Sequence, residues 1–394
     1  MKISTDIVVA GTGPAGLMAA LALAGEGFRI VLVGPETNLT DRRTTALMEP
    51  QLDFLDRLSI LGSLEAGSAP LRIMRIADAT SRLFRSPVVT FRASEIGEAR
   101  FGLNIPNGHL LAELDAAVKG NSNIERVTSL VARWAPQADV VEAALDNGDM
   151  IAAMLTVAAD GRLSPAREAA GIQVRSRPSR QSAVVLSFSH SRSHEDTSTE
   201  FHTETGPFTQ VPLQGKRSSL VWVTRPDEAE TLMTLDDDTL SRRIEERMQS
   251  MLGRVTVEAG HQLYPLASAL PHRFAANRVA LVGEAAHIFP PIGAQGLNLG
   301  IRDIESLAAI AARHGADPGS VKALDAYDRA RRPDIVARSS AVQLLNRSLL
   351  SDMLPVQVMR SAGLGLLGAA SPLRALFMRE GLRTGSGLGN LFRG

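Results

Sequence analysis

The residues with the most chemical potential lie in the run Val282-Gly-Glu-Ala-Ala-His-Ile-Phe-Pro-Pro-Ile-Gly-Ala-Gln-Gly-Leu-Asn-Leu-Gly-Ile-Arg-Asp303. An acid, Glu284, follows a short apolar strand signal, and a Pro/Gly-rich turn then leads into a helical pattern. An acid at a strand end can hold sugar-like hydroxyls. A helix N-terminus offers unpaired N–H groups and partial positive charge to an electron-rich edge. A second element opens the chain, Gly11-Thr-Gly13-Pro14-Ala15-Gly16, directly after the apolar run Asp6-Ile-Val-Val-Ala10. In this spacing the first glycine permits a tight turn, the second lets backbone approach a pyrophosphate, and the third lets helix and strand pack closely. A third element, Asp160-Gly161-Arg-Leu-Ser164-Pro-Ala-Arg167, ends the apolar strand Leu155 to Ala159. Alone it reads as a turn followed by a Ser164 helix cap. Beside the other two it reads as a carboxylate at a cofactor, fixed by a paired contact with Arg167.

These elements together point to one dinucleotide, FAD. Gly11, Gly13, Pro14, Ala15 and Gly16 form the expected phosphate turn and Gly283 and Glu284 the ribityl end, while Asp160 meets a ribityl or pyridine-nucleotide region. Pro291, Gly293, Ala294, Gln295, Gly296, Leu297 and Asn298 form the expected flavin-facing loop and helix start. Negative charge collects at the N1–C2=O edge of a reduced flavin, where a helix dipole stabilises it. Pro291, Gly293 and His287 are the candidates nearest the chemistry; His287 is either a structural hydrogen-bonding residue or a base. Gly34 stands where a strand-end acid is usual, so Glu36 is either the adenosine-ribose ligand or a surface-turn carboxylate. Arg43 is either a surface arginine or a ligand to the pyrophosphate or the substrate. No Ser/His/Asp triad, metal-ligand spacing or phosphate-loop lysine pattern is present, so hydrolase, metalloenzyme and NTPase readings fall away and no metal is expected.

Composition narrows the class further. The 394 residues are 44% hydrophobic and 21% charged, ordinary for a globular chain of two or three modules. The 42 basic and 42 acidic side chains cancel, which argues against nucleic acid as a partner. The absence of cysteine excludes disulfides and thiolate chemistry, and with no apolar run long enough to span a bilayer it leads us to expect a cytoplasmic protein. From residue 340 onward six arginines face only Asp352 and Glu380, a locally basic tail that could meet a membrane surface, a partner or its own core.

The patterning predicts an α/β fold: a Rossmann-type FAD-binding domain, an inserted antiparallel-sheet substrate domain and a helical C-terminal region. Apolar runs at 6–10 and 28–33 flank an Ala/Leu-rich helix, giving a βαβ unit. Asp146-Asn147-Gly148 marks a hairpin between 140–145 and 149–158. Residues 183–224 alternate at short period as one antiparallel sheet, a helix is expected near 237–252, and 297–349 reads as helical. The expected division is 1–75, 100–182 and 263–340 for a discontinuous FAD-binding domain, 76–99 and 183–262 for the substrate domain, and 341–394 for the C-terminal segment.

The three elements in this order resemble the class A flavoprotein monooxygenases of the p-hydroxybenzoate hydroxylase fold, and in particular their ubiquinone-biosynthesis hydroxylase branch. The resemblance covers nearly the whole chain. It is carried also by Asp41-x-Arg43-x-x-Ala46-Leu47, Asn107-x-x-Leu110, Gly206-Pro-Phe208, Ser219-Leu-Val-Trp222, Tyr264-Pro-Leu266 and Tyr327-x-x-x-Arg331-Arg-Pro333. Two departures stand out: Glu284 replaces the family's usual Asp, and Gly34 replaces the strand-end acid.

The resemblance implies that NAD(P)H reduces FAD, that O₂ adds to give a C4a-hydroperoxide, and that this species hydroxylates a polyprenylated phenol. It also implies that Arg43 approaches FAD. Peripheral contact with the cytoplasmic face of the inner membrane, a quinone-biosynthesis complex and a homodimer are the partners it leaves open. A hydroxylase of a small soluble aromatic, and a non-catalytic FAD-bound assembly subunit, remain the alternatives. A small acidic phenol would call for a pocket arginine or paired tyrosines, whereas a prenyl tail would call for an apolar channel, for which Val184 to Phe188, Phe208 and Trp222 are candidates if they are not ordinary core.

Overall fold

The computed structural model describes residues 2–81, 85–290, 295–350, 365–366 and 370–382. Four strands, Lys2–Ala10, Ile30–Gly34, Met150–Ala158 and Val279–Leu281, run parallel and are buried on both faces toward their carboxyl ends, with Ile124–Thr128 beside Ile30–Gly34. Ile7, Val8, Val9, Leu155 and Val157 are completely buried, because helices cover both sides of the sheet. One of them, Pro14–Gly25, is so rich in Ala and Leu that nine of its residues are buried, and Gln295–Arg313 packs on it. The expected hairpin is present: Val141–Leu145 pairs antiparallel with Met150–Ala158, and Gly148 takes φ +86° in the turn.

A second sheet is built from Val174–His190, Thr197–His202, Pro207–Leu213 and Arg217–Thr224, extended on one side by Ile73–Asp78 and Val89–Arg92. One pairing departs from the antiparallel expectation: Thr197–His202 runs parallel to Ile73–Asp78, because the latter segment arrives from the N-terminal third of the chain. The 17-residue strand Val174–His190 leaves the nucleotide region paired with Gln262–Pro271, and its register shifts between Pro178 and Ser182. Proline cannot donate to the ladder, so the strand bends there and enters the second sheet.

Helices Pro226–Met233 and Asp237–Arg247 cover one face of that sheet, the second capped by the Asp236 carboxylate on Thr239 N at 2.7 Å. Val184, Leu186, Phe188, Phe208 and Trp222 pack there with Leu232, Leu240 and Ile244. Val184, Phe188, Phe208 and Trp222 are therefore core and not a channel wall, since their alternation points them at the helices, whereas Leu186 also borders a cavity on the other side. The opposite face meets the strands Thr44–Met48 and Gly102–Pro106 through Thr44 Oγ1 to Ser219 Oγ (2.9 Å) and Asn104 Nδ2 to Pro212 O (2.8 Å).

The helical stretch expected over 297–349 is two helices, Gln295–Arg313 and Val321–Leu350. A turn separates them where Gly319 lies so close to Met154 O that a Cβ would stand 1.9 Å away. Of the C-terminal segment, Ser371–Leu382 is a helix whose Met378 is buried with Val89, Phe91 and Phe101, held by Arg374 on Glu95 at 2.7 Å. Leu155 tests the central packing: Leu155→Ala should cost about 2–5 kcal/mol. The urea midpoint should fall with an unchanged slope.

Candidate active site

The parallel register brings Val33, Ala10, Ala158 and Leu281 side by side, so the three sequence elements begin at the carboxyl ends of adjacent strands. That edge is where open α/β sheets place their ligands. Each loop is tied to its neighbour as it leaves: Gly11 N donates to Val33 O (2.8 Å), Ala159 N to Ala10 O (2.9 Å) and Val282 N to Ala158 O (3.0 Å). Gly11, at φ +109°, lies so near the next loop that a Cβ would stand 2.3 Å from Ala159 O. At Gly16 a Cβ would meet Gly11 O at 1.9 Å, and Gly283, at φ +60°, would press on Ala15 Cβ at 3.0 Å.

Gly13 differs. Its φ is −78°, open to any residue, and nothing lies within 4 Å of a Cβ built there. The protein's own packing does not require glycine at 13, yet the position caps a helix whose first N–H groups have no intrahelical acceptor. Such an open cradle fits a pyrophosphate. Gly296, in the first turn of Gln295–Arg313, is open in the same way.

Asp160 is a second feature that suits a polar ligand. Its Oδ2 accepts from Ala166 N at 3.2 Å, while the buried Oδ1 has no partner. Burial outweighs the bonds from Ser164 and Ala166 and raises its carboxyl above the usual range. The expected Asp160–Arg167 pair is not formed: Arg167 donates instead to Ala285 O (2.9 Å) and Arg162 O (2.8 Å), because its buried guanidinium spans two loops. Glu284 is half exposed and meets Arg162 at 3.3 Å. An unpartnered acid oxygen beside an open phosphate cradle suits the hydroxyls and phosphates of FAD.

Glu36 lies on the surface past the second strand, accepting from Thr128 Oγ1 (2.9 Å) with Arg126 at 3.5 Å. Gly34 is matched to Thr12, whose Cγ2 would stand 3.0 Å from a Cβ there while its hydroxyl donates to Pro35 O at 2.8 Å. Arg43 makes a two-point contact with Asp41 (2.9 and 2.7 Å) and lies 5.7 Å from the Tyr264 ring centre. Burial opposes ionisation of Asp41, but bonds from Arg43 and Asn107 prevail and hold its carboxyl below the usual range.

His287 is turned inward, its Nε2 2.7 Å from Asp303 Oδ2. The fully buried Asp303 carboxylate also accepts from Gly283 N (3.2 Å) and Arg331 Nε (2.8 Å). Asp303 thus ties down the turn that carries Glu284, and His287 joins that network through its ring nitrogen. Asn298 clamps the helix start by donating to Ala46 O (2.7 Å) and accepting from Met48 N (2.9 Å). Pro291, Gly293 and Ala294 lie outside the described residues, as does the side chain of Gln295.

A family model for the FAD binding domain matches residues 4–339. The chain belongs to this family. It is 33% identical to the ubiquinone hydroxylase UbiL of Rhodospirillum rubrum, over 96% of this chain and 90% of that one. It is 27% identical to the 3-demethoxyubiquinol 3-hydroxylase of Escherichia coli, over 98% and 99%. Among solved structures, p-nitrophenol 4-monooxygenase PnpA of Pseudomonas putida superposes with a TM-score of 0.79 at 22% identity, covering 98% of each chain. HpxO of Klebsiella pneumoniae, solved with FAD, gives 0.77 at 19%, covering 97% of this chain and 99% of that one.

This FAD-dependent monooxygenase also has a cavity of about 300 Å³ beside Arg43, lined by Arg42, Pro106, Val185, Ser187, Leu213 and Arg217 among others. The sequence reading missed these arginines. The adjacency of Arg42 to Arg43 was a signal, but nothing local brings Arg217 across from the second sheet. Among the described residues no cluster could hold a metal ion, and no helix is long and apolar enough to cross a membrane.

Two outcomes follow from the glycines and from Asp160. Gly13→Val should abolish FAD retention while the apoprotein keeps its circular dichroism and melting temperature; Gly16→Val should prevent folding. For Asp160, a native pKa raised above the unfolded value means the unfolded chain ionises first. The penalty grows as pH rises from the ordinary carboxylate range and is complete above the native pKa. Asp160→Asn should therefore stabilise the apoprotein at neutral pH, leave it unchanged in strong acid, and weaken FAD binding, as read by pH-dependent melting and flavin titration.

Proposed function

We propose that this enzyme hydroxylates the aromatic ring of a polyprenylated phenol in ubiquinone biosynthesis, using NAD(P)H and O₂. The observation that carries the reading is near-full-length kinship with ubiquinone hydroxylases, in a chain that keeps an open pyrophosphate cradle at Gly13. The pyrophosphate belongs at Gly11, Gly13, Pro14, Ala15 and Gly16, with Arg43 approaching it. Asp160, Gly283 and Glu284 take the ribityl hydroxyls, and Glu36 is the acid available to the adenosine ribose. Gln295, Gly296, Leu297 and Asn298 face the ring edge, joined there by Pro291, Gly293 and Ala294 on family resemblance. Bound FAD supplies the redox chemistry, so that NAD(P)H, a proton, O₂ and the ring yield NAD(P)⁺, water and the hydroxylated ring.

The chain's own task is to orient and to exclude water. The N-terminus of Gln295–Arg313 offers unpaired N–H groups to developing negative charge, which favours the reduced cofactor. Asp303 and His287 hold the preceding turn still, and Asn298 locks the helix start to the strand Thr44–Met48. The face of the second sheet carrying Val185 and Leu213 closes over the nucleotide domain, keeping the reacting ring dry. No side chain need act as a strong acid or base, since the electrophile comes from the cofactor. A prenylated substrate resides in a bilayer, so the enzyme meets it by peripheral contact with the inner membrane.

Mass spectrometry of lipid extracts tests the reading. A strain lacking the protein should accumulate a quinone precursor short of one hydroxyl, and wild type but not Gly13→Val should reverse it. An unchanged quinone profile, in a strain without a redundant hydroxylase, would contradict it.

A further inference from the structure

The second sheet carries a carboxylate on the face turned away from its helices. Phe201 packs under those helices with Phe208 and Trp222, so along Thr197–His202 the alternation turns Glu200 and His202 to the opposite side. The register fixes their neighbours: Glu200 stands between Ile76 and Thr209, and Thr209 stands beside Val221. Thr209, Val211 and Val221 lie on interior strands and are still partly exposed, so this face opens on a cleft. Two contacts bound it. On one side Ser219 reaches Thr44; on the other Ile76 packs on the cluster of Val89, Phe91 and Phe101 that Met48 also joins. The strand Thr44–Met48 therefore spans the cleft, and Met48 N is bonded to Asn298 at the start of the helix proposed to meet the flavin edge.

Glu200 is held without being saturated. His202 Nε2 lies 2.9 Å from its Oε1 and Thr209 Oγ1 3.4 Å from its Oε2, while the side chain keeps 17% of its surface exposed. A carboxylate accepts at about four positions, so two donors leave room for a third. We infer that Glu200 binds the substrate by accepting a hydrogen bond from a ring hydroxyl, and that its charge turns away rings carrying a carboxylate. A hydrogen bond to an ionised acceptor is about twice as strong as a neutral one. Ile76, Val211 and Val221 offer the ring itself apolar surface. A second anion beside Glu200 would instead meet like charge in a cleft with little water to screen it. The inference rests on the hydroxylase reading and names the ring which that site takes: a neutral phenol with apolar substituents and no acidic group.

The test is calorimetric titration of the FAD-loaded protein with 2-allylphenol, with its methyl ether 2-allylanisole and with 3-allyl-4-hydroxybenzoate. Wild type should bind the phenol about tenfold more tightly than the ether, and the acid more weakly than the phenol by a similar factor. Glu200→Gln should cut the preference for phenol over ether to about threefold or less, with flavin content and melting temperature unchanged. The same variant should bind the acid more tightly than wild type does, a gain that loss of packing does not produce. Equal binding of phenol and ether by wild type, no binding of the phenol, or acid binding that Glu200→Gln leaves unchanged or weakens would overturn the proposal. The first two comparisons use wild type alone and decide the matter even where the variant fails to fold. Binding is read without turnover, so failure here leaves the hydroxylase reading standing, while that reading fails on the lipid profile alone.

Discussion

Backbone approaches backbone at one edge of the parallel sheet until there is no space for a β-carbon, and the active site depends on that crowding. Gly11 faces Ala159, Gly16 faces Gly11, Gly283 faces Ala15, and Gly300 in turn faces Gly283, where a Cβ would stand 3.3 Å from its Cα. Three loops from distant parts of the sequence are thereby locked into one surface. Gly13 is different: like Gly296 at the start of the later helix, it is crowded by nothing. The contrast separates glycines that the packing requires from glycines that it does not.

Much of this was legible in the sequence because the relevant signals are local. A buried strand followed by Gly11-x-Gly13-x-x-Gly16 specifies its own turn, and Asp146-Asn147-Gly148 its own hairpin. The parallel pairing of Thr197–His202 with Ile73–Asp78 was not legible, since no local pattern says which distant segment completes a sheet edge. The alternation in Val184 to Phe188 showed a half-buried strand but not which face met helices. Burial beneath Pro226–Met233 and Asp237–Arg247 makes Val184 and Phe188 core, while Val185, Leu186 and Ser187 border the cavity. In the same way Asp160 and Arg167, close in sequence, looked like a pair, but the arginine finds carbonyls on two other loops.

Charge is distributed according to function. Asp303 is buried yet fully used, accepting from Gly283, His287 and Arg331, so its cost of burial is offset by three donors. Asp160 is buried with one oxygen idle, which destabilises the apoprotein and favours a ligand able to donate to it. The departure at Gly34 has a packing cause in Thr12, and the nearby acid, Glu36, sits in solvent with Arg126 and Thr128.

The central claim is that the strand-end surface is built around a pyrophosphate and therefore selects a dinucleotide over a mononucleotide flavin. Titration of the apoprotein with FAD and with FMN, followed by flavin fluorescence, addresses it directly. The account predicts one FAD per chain, with FMN weaker by about a hundredfold or more, because the Gly13 cradle then goes unused. FMN binding as tight as FAD, or no binding of FAD, would contradict it.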